Sequence, residues 1–584
     1  MNYLPVQLPV AKPTNKLTTF AQKGENLLDL SQFTGSDYAQ RIENLLPIAN
    51  ARLEKSQGYT EFLTKGTLPI TDLVRYNGNT YYGQDTKLYV NDSSIKTMTG
   101  TGVFSIVLFG DYIYATNGTE KVGRVSSVLA FDAQTANFVL GEKITGGTSG
   151  ATGIILEQTD AGVTGTLTLG QVTGTFANDE VITSASGSAD VNGVLTFTYT
   201  TITNAPICKK LFIYNKRLVC GAISTDKSKV ICSEEFVGTF PPFVFPAAAS
   251  PALVTDQFNY SFSNGGDVND FAVLGSQLIT FYDKGEAGIR ADVLDYSGVG
   301  VRLNIVTDFQ RTGFGGMSAI STKYGVFYSN ATGVYQMTSG GSTNQPYSEQ
   351  QVQISSLFDD RIIENIDFSN SALFLDEKRN LLLISCAESS SFNNLVLVYN
   401  IDTKAWTRRT SWYISSFYYD DYIYAGSSFE GKIYKLFDGQ QDGANDISIT
   451  FEQELTQAEV MGLKQLKEVY AGGKLSQGQI VTISFDIYDK AGILVLDYKN
   501  ITWSPNATSF SHATGIGTAK FGSAIGSGDS SSVSTVNSWL HKMLKIYEYS
   551  RIVLRITEES GLPMELSWLS VKTEDKGVNK KYTI

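Results

Sequence analysis

The chain has 584 residues, of which 42% are hydrophobic, 12% aromatic and 18% charged, with a formal net charge of −12. That length exceeds what one hydrophobic core organises, so several domains are expected. The acidic balance argues against an electrostatic grip on nucleic acid, which needs clustered Lys and Arg, and no stretch approaches the run of about eighteen apolar residues of a membrane-spanning helix.

The chain opens with Pro5, Pro9 and Pro13, the mark of an extended leader that cannot fold on itself and lies along another surface. Residues 1–66 read as this leader, and it lacks the long apolar core of a signal peptide. A repeated pattern then begins. Stretches opening at Tyr76, Phe109, Tyr214, Leu274, Lys323, Glu377 and Ser415 each carry a polar or Gly turn, an apolar run, a Gly/Ser/Asn/Asp loop and a second apolar run. These read as β-hairpins, mostly spaced by about forty to sixty residues, near the period of propeller blades. In residues 415–439 the run Tyr422-Ile423-Tyr424 ends at Ala425-Gly426, and Gly431 reopens the chain before Ile433, Tyr434 and Leu436. One such unit cannot bury both its faces, so units stack around an axis. The expectation is an all-β protein with a β-propeller of about six to seven blades, spanning residues 67–132 and 202–440.

Residues 133–201 break the pattern. They are rich in Gly and Thr, nearly free of Lys and Arg, and self-similar: Glu142, Ile144, Thr145 and Ser149-Gly150 are echoed by Glu180, Ile182, Thr183 and Ser186-Gly187. Alternating Thr and Val with interspersed glycines predict a small inserted two-fold β module projecting from a loop. Its GGTSGATG run lacks the Lys-Ser/Thr pair and the following helix of a phosphate loop.

In LVLVYNIDTKAWTRRT, residues 395–410, an apolar strand leads to a turn at Asp402-Thr403 and then to Trp406. The Asp402 carboxylate is expected to accept turn N–H bonds, and the Trp406 indole to cover the gap between neighbouring blades. With Gly426, expected in a tight turn, and Gly431, these are the predicted structural residues. Residues 441–584 carry the strand spacing of a sandwich-like β-domain. Within it Thr456-x-x-Glu459 fits a helix capping box, GLKQLKEVYAGG reads as helix or strand, and the nearly uncharged residues 504–538 read as a flexible loop.

Chemistry is sparse. The two histidines, His512 and His541, offer little to a Ser-His-Asp or Cys-His arrangement. Glu234-Glu235, Asp359-Asp360, Asp420-Asp421 and Glu558-Glu559 are adjacent, and neighbours on a strand face opposite ways, unlike the facing carboxylates of a glycosidase. Cys208, Cys220, Cys232 and Cys386 form no CxxC pair and read as buried thiols. No catalytic, cofactor-binding or metal-binding residue is predicted, no cofactor is expected, and the chain reads as a non-enzyme.

ENLLPIANARLEKSQGYTEFL, with Asn44, Pro47 and Gly58-Tyr59, resembles the opening of podovirus (short-tailed phage) tail hub proteins, also called tail nozzle or packaged-DNA stabilisation proteins. The stretch from Leu395 to Leu436 resembles the last blades of that family, and LKQLKEVYAGG with YSRIVLRITEESGLPMELSWLSVK resembles its closing β-domain. The resemblance implies a homo-hexameric ring in the virion tail, assembled in the bacterial host cytoplasm below the portal and its adaptor (the head-to-tail connector). Such a ring extends the DNA conduit, retains the packaged genome and allows its ejection. It contacts tail fibre, tailspike or needle proteins, passes double-stranded DNA without specific binding, and inserts in no membrane. The alternative is a carbohydrate-binding or glycan-degrading, sialidase-like propeller that stacks sugars on its aromatic-rich faces.

Overall fold

In the computed structural model every regular element among the described residues is a β-strand. The structure describes most of residues 41–576 together with 15–19 and 39; the longer stretches outside the description are 1–14, 20–38, 237–242, 246–258, 293–301, 310–316, 356–364, 457–462, 489–493, 506–534 and 577–584. Glu235, Asp359-Asp360, Glu459, His512 and most of the expected 504–538 loop thus lie outside the described residues.

The fold is all-β and propeller-like. Ile70–Tyr76, Asn79–Gln84, Lys87–Val90 and Ser93–Thr97 pair in chain order as one antiparallel sheet. The same four-strand succession recurs in sheets whose first strands are Ser105–Phe109, Cys208–Tyr214, Val268–Leu274, Ser318–Thr322 and Ile366–Asp376. Turn chemistry explains the hairpins, because Asn77, Gly78, Gly110, Asn215, Lys216 and Gly275 take the positive φ that tight strand connections require. Second strands such as Arg217–Ile223 and Ile423–Ser427 are buried at every position rather than alternately, since each sheet is covered on both faces by its neighbours.

Ile414–Tyr419, Ile423–Ser427 and Lys432–Leu436 supply only three strands of a further sheet. Its fourth is Tyr59–Thr64, antiparallel to Lys432–Leu436. The first strands lie side by side in sequence order, and Ile414–Tyr419 lies against Ile70–Tyr76, so the succession returns on itself. Each sheet is fastened to the next through its first or second strand. The Asp72 carboxylate accepts from Ile106 N (2.7 Å), Ser105 Oγ from Leu211 N (3.0 Å), and Asp270 both pairs with Lys210 (3.0 Å) and accepts from Ala319 N (2.9 Å). Ser329 and Ser371 share a bond (2.7 Å), Ser385 Oγ donates to Ile414 O, and Ser415 Oγ donates to Ile70 O.

The inserted segment closes on itself. Strand Gly123–Ala136 runs out of its sheet and pairs with Gly165–Thr173 on one edge and Ser188–Val191 on the other. Between these, Thr152–Asp160, Lys143–Gly146 and Val181–Thr183 complete a ring of strands around Leu129, Phe131, Ile144, Ile155 and Ile182. The sequence echo has a structural reason. Glu180 of the second copy accepts from Thr148 N (3.0 Å), Ser149 N (2.8 Å) and Ser149 Oγ (2.7 Å) of the first. Glu142 of the first copy accepts from Ser184 Oγ (2.6 Å) and Ser186 Oγ (2.7 Å) of the second. One correction applies to the expected 133–201 span. Thr196–Thr201 pairs back with residues 123–128 as the outer strand of the flanking sheet, so the insertion ends before it.

The C-terminal region packs two sheets over a common core that includes Phe451, Val469, Ile483, Phe485, Trp503, Ile552, Leu554 and Leu566. From Leu463 onward the GLKQLKEVYAGG segment lies in strand Leu463–Ser476, and Gly462 is outside the described residues. The expected leader is corrected from residue 41 onward. Arg41–Glu43 joins one sheet of this pair, between Ile449–Thr456 and Trp406–Thr410, while Leu45–Ile48 and Arg52–Lys55 join the other through Met564–Lys576. Asn15–Thr19 also pairs with Met564–Lys576. These strands cover sheet edges whose N–H and C=O groups would otherwise lack partners.

Candidate functional site

The chain's N-terminal strands, its last propeller-like sheets and its C-terminal domain meet at one buried junction. Asn44 stands between Arg41–Glu43 and Leu45–Ile48 with φ 59°, a conformation Asn tolerates better than most residues, and the chain there passes from one sheet to the other. Its N–H donates to Arg408 O (2.8 Å), and its side-chain amide donates to Thr410 Oγ1 (2.9 Å) and Ser448 O (2.7 Å). Its Oδ1 accepts from Arg409 Nη1 (2.8 Å). Arg409, 1% exposed, pairs through Nη2 with Asp442 Oδ1 (2.6 Å), which also accepts from Trp412 Nε1 (3.0 Å). Burial pulls the Arg409 guanidinium down and pushes the Asp442 carboxyl up, and their mutual attraction opposes both shifts.

A second buried pair lies beside it. Lys55 Nζ is 2.5 Å from Glu558 Oε2 and also donates to Ser560 O; burial pulls the ammonium down, against the bond to Glu558. Pro47 O accepts from Asn400 Nδ2 (2.9 Å). Gly58 lies so close to the Gln441–Asp442 strand that a Cβ would stand 1.8 Å from Gln441 O. Tyr59 packs its ring 4.3 Å from that of Tyr434, and its hydroxyl is pushed up to about 12 by burial and by the nearby Asp442. Asn44, Pro47, Gly58 and Tyr59, the residues singled out in the opening stretch, therefore converge here.

The predicted structural residues are placed as follows. Trp406 is fully buried among Phe327, Val334 and Leu397, between two successive sheets, and its Nε1 donates to Ile354 O (3.0 Å). The turn before it is held differently from expectation. Asn400 Oδ1 accepts from Asp402 N (3.0 Å) and Thr403 N (2.9 Å), while Asp402 accepts from Asn380 Nδ2 (2.9 Å). Asn400 precedes the turn, the position from which a side-chain oxygen reaches N–H groups two residues on. Gly426 lies inside strand Ile423–Ser427 rather than in a tight turn, and a Cβ there would meet Ile70 Cγ2 at 2.8 Å. Gly431 admits the end of the Tyr59–Thr64 strand: Lys65 N donates to Gly431 O (2.6 Å), and a Cβ would stand 1.9 Å from Lys65 O.

Asp420 and Asp421 occupy a hairpin tip rather than a strand, so both approach one cation. Arg75 Nη1 is 3.3 Å from Asp421 Oδ1 and 3.8 Å from Asp420 Oδ2. Asp421 Oδ1 also accepts from Tyr424 OH (2.8 Å) and Tyr422 N (3.0 Å); burial pushes this carboxyl up, but these bonds and Arg75 hold it below its usual range. The thiols of Cys208, Cys220, Cys232 and Cys386 are all buried and free, and burial raises those of Cys220, Cys232 and Cys386. Among the described residues no group of three or more His, Cys, Asp or Glu residues is placed to hold a metal ion.

The sequence reading missed the axial group Asp72, Lys210 and Asp270. Burial pushes the Asp72 carboxyl up to about 6, against the N–H bonds from Ile106 and Leu73 and the pull of Lys210. Asp72 and Asp270 each follow a register shift in their first strand, and a bulge of this kind re-aims a side chain. A charged residue at one offset in several repeats was the available signal.

No family model matches the chain, and no similar protein is found among curated proteins. Solved structures that align with it include the extracellular domain of a putative hybrid two component system of B. thetaiotaomicron, at 10% identity over 82% of this chain and 72% of that one, with TM-score 0.25. Exo-beta-1,3-galactanase of Phanerochaete chrysosporium aligns at 10% identity over 80% and 95%, with TM-score 0.21. A Trichoderma reesei carbohydrate-active enzyme of family AA12 aligns at 10% identity over 67% and 98%, with TM-score 0.23. TM-scores this low carry no argument, and the description of the fold rests on this chain's own strand pairing.

Proposed function

We propose that the chain is a structural subunit of a short-tailed phage tail, the hub or nozzle that extends the DNA conduit below the portal and adaptor. In this reading the cyclic sheets are a seven-bladed propeller whose last blade is closed by Tyr59–Thr64. The insertion is a small barrel, and the C-terminal region with residues 41–55 is a sandwich. The observation that carries the reading is the convergence of Asn44, Pro47, Gly58 and Tyr59 on the buried junction. The residues on which the family resemblance rests form one tie between propeller and sandwich. The axial acids fit a structural role too, because Asp72 and Asp270 bond the backbone of neighbouring sheets. A net charge of −12 suits a conduit that DNA must traverse without adhering.

A duplex is a rod of about 20 Å, and a propeller packed at native density has no bore of that width, so several subunits surround the channel. Rings close by repeated head-to-tail contacts; six copies follow from the resemblance. The test is native mass and electron microscopy of the protein with and without a portal–adaptor complex. A ring of six on the adaptor is expected, and a stable monomer or dimer there overturns the reading.

One observation favours the glycan reading instead. Tyr419 and Tyr422 are 61% and 43% exposed beside Asp420 and Asp421, an aromatic and acidic surface suited to stacking and hydrogen-bonding a sugar. Incubation with capsular polysaccharide, lipopolysaccharide and sialosides is expected to release no sugar. Turnover abolished by Asp420→Asn or Asp421→Asn would replace the structural reading with the enzymatic one.

A further inference from the structure

Beside the junction lies a groove of about 420 Å³ between the Leu45–Ile48 strand and the turns of the last propeller-like sheets. Its apolar wall is made by Leu46, Pro47, Ile48, Leu381 and Phe437. Glu54 and Asp402 stand among its polar groups, and Arg379 lies with its guanidinium 4.2 Å from the Phe437 ring centre. The volume is that of a ligand pocket, enough for a short stretch of peptide.

The chain itself contains a segment of matching chemistry. Residues 1–14 hold the tripeptide Leu-Pro-Val twice, at Leu4-Pro5-Val6 and Leu8-Pro9-Val10, with Lys12 as their one charged side chain. Proline fixes φ in advance, so such a segment loses little entropy on docking, and proline-rich segments bind aromatic-lined grooves for that reason. Lys12 complements Glu54 and Asp402.

Direction decides which copy is served. Strand Asn15–Thr19 runs antiparallel to Ser570–Glu574 with Asn15 opposite Glu574, while Glu54 at the groove is opposite Glu565. The chain therefore enters this sheet from the end remote from its own groove, about 30 Å of strand away. Fourteen residues span at most roughly 46–50 Å when extended. Reaching its own groove would require the segment to reverse along the Asn15–Thr19 strand, so a groove on a second copy is the simpler destination.

We infer that the groove receives the Leu-Pro-Val segment of a second copy, so that each subunit is stapled to the next by its N-terminal residues. The inference deepens the ring reading and rests on it only for the presence of a neighbouring copy.

The experiment uses a fluorescein-labelled peptide of residues 1–14 and protein lacking those residues, read by anisotropy. Saturable binding is expected, weakened roughly tenfold or more by Ile48→Glu. Thr403→Arg, at the mouth of the groove and repelling Lys12, serves as the second variant should Ile48→Glu fail to fold. Full-length protein should associate with rising concentration in sedimentation, and Leu4→Glu/Leu8→Glu should abolish that association. No saturable binding, binding indifferent to both groove variants, or a full-length protein that stays monomeric while its peptide binds would each overturn the inference. Failure here with six-fold rings still formed on the adaptor leaves the tail reading intact. Peptide binding and self-association without such rings keeps the staple and sinks the tail reading.

Discussion

The inserted barrel and the junction hold themselves together by opposite means. In the barrel both halves of each lock lie close in sequence: Glu180 is held by Thr148 and Ser149, and Glu142 by Ser184 and Ser186. At the junction Arg409 and Asp442 are 33 residues apart, but Asn44 reaches them from 365 residues before Arg409. A local lock forms with little loop-closure cost, whereas a remote one forms only after the intervening chain has folded. Damage to the barrel should therefore stay in the barrel, and damage to the junction should spread.

The largest effect is expected from Arg409→Ala. It leaves Asp442 buried without its cation, a change that costs about 3–5 kcal/mol, and it frees the N-terminal strands. Soluble yield and urea midpoint should fall for the whole protein, while Arg409→Met with Asp442→Leu should recover much of the loss. An Arg409→Ala protein of unchanged midpoint would show that the junction is not a common tie.

Trp406→Ala tests the packing between successive propeller-like sheets, on the strand that also carries Arg409. Removing a fully buried indole costs about 3–5 kcal/mol, without an unpaired charge left behind. Loss of the main transition is expected, with the barrel transition retained if the two regions are as separable as their locks imply. Calorimetry that shows both transitions moving together would contradict that separation.

Glu180→Ala should cost about 1–3 kcal/mol by removing the charged acceptor of the Thr148, Ser149 and Ala177 N–H groups, and the loss should be confined to the barrel. Burial alone would raise this carboxyl, but its hydrogen bonds outweigh burial and hold it below the usual range. The folded barrel thus binds its proton less readily than the unfolded chain. The resulting stabilisation is complete above the ordinary carboxylate range. It is lost as pH falls through that range and through the lowered folded value. Hydrogen exchange of barrel amides from neutral to acid pH should show this dependence, and Glu180→Gln should reduce it, leaving the part that Glu142 and Glu157 contribute.

Excising residues 137–193 with a short Gly-Ser bridge is expected to have the smallest effect on the remainder. Phe131 pairs with Val191 and Val128 with Thr196, so the strands that leave and re-enter the flanking sheet run side by side and a bridge can join them. The deletion also removes Glu157, which accepts from Arg124 Nη2 (2.7 Å) and Tyr112 OH (2.8 Å) of the flanking sheet. A shift of about 2–4 °C in the main transition, on the order of 1 kcal/mol, is expected. Collapse of the protein would mean that the barrel completes its sheet.

Much of the strand pattern was legible because it is local. Polar turns at Asn77-Gly78 and Asn215-Lys216 mark hairpins in the sequence itself, and the paired glutamates of the insertion announce a two-fold unit before any coordinates. Trp406 could be placed between sheets because an indole after an apolar strand and a turn has few other uses. The axial group Asp72, Lys210 and Asp270 escaped, since at Asp72 and Asp270 a bulge changes which way the side chain faces and leaves little trace in alternation. Asn400 was passed over for Asp402, although both can hold a turn, because only geometry shows which carbonyl oxygen lies before the N–H groups.

The class of structure, the hairpin succession, the presence of a self-similar insertion and the burial of Trp406 were legible in the sequence. Each of these follows from turn residues and side-chain periodicity within a few tens of residues. Only the tertiary structure decided that Tyr59–Thr64 completes the sheet begun by Ile414–Tyr419, that residues 41–55 belong to the C-terminal sheets, and that Gly431 must be bare to admit Lys65. Those residues carry strand propensity but no record of their partner. The partner is chosen by whichever sheet edge remains open once the rest has folded, a choice made by unpaired N–H and C=O groups rather than by the side chains that a sequence displays.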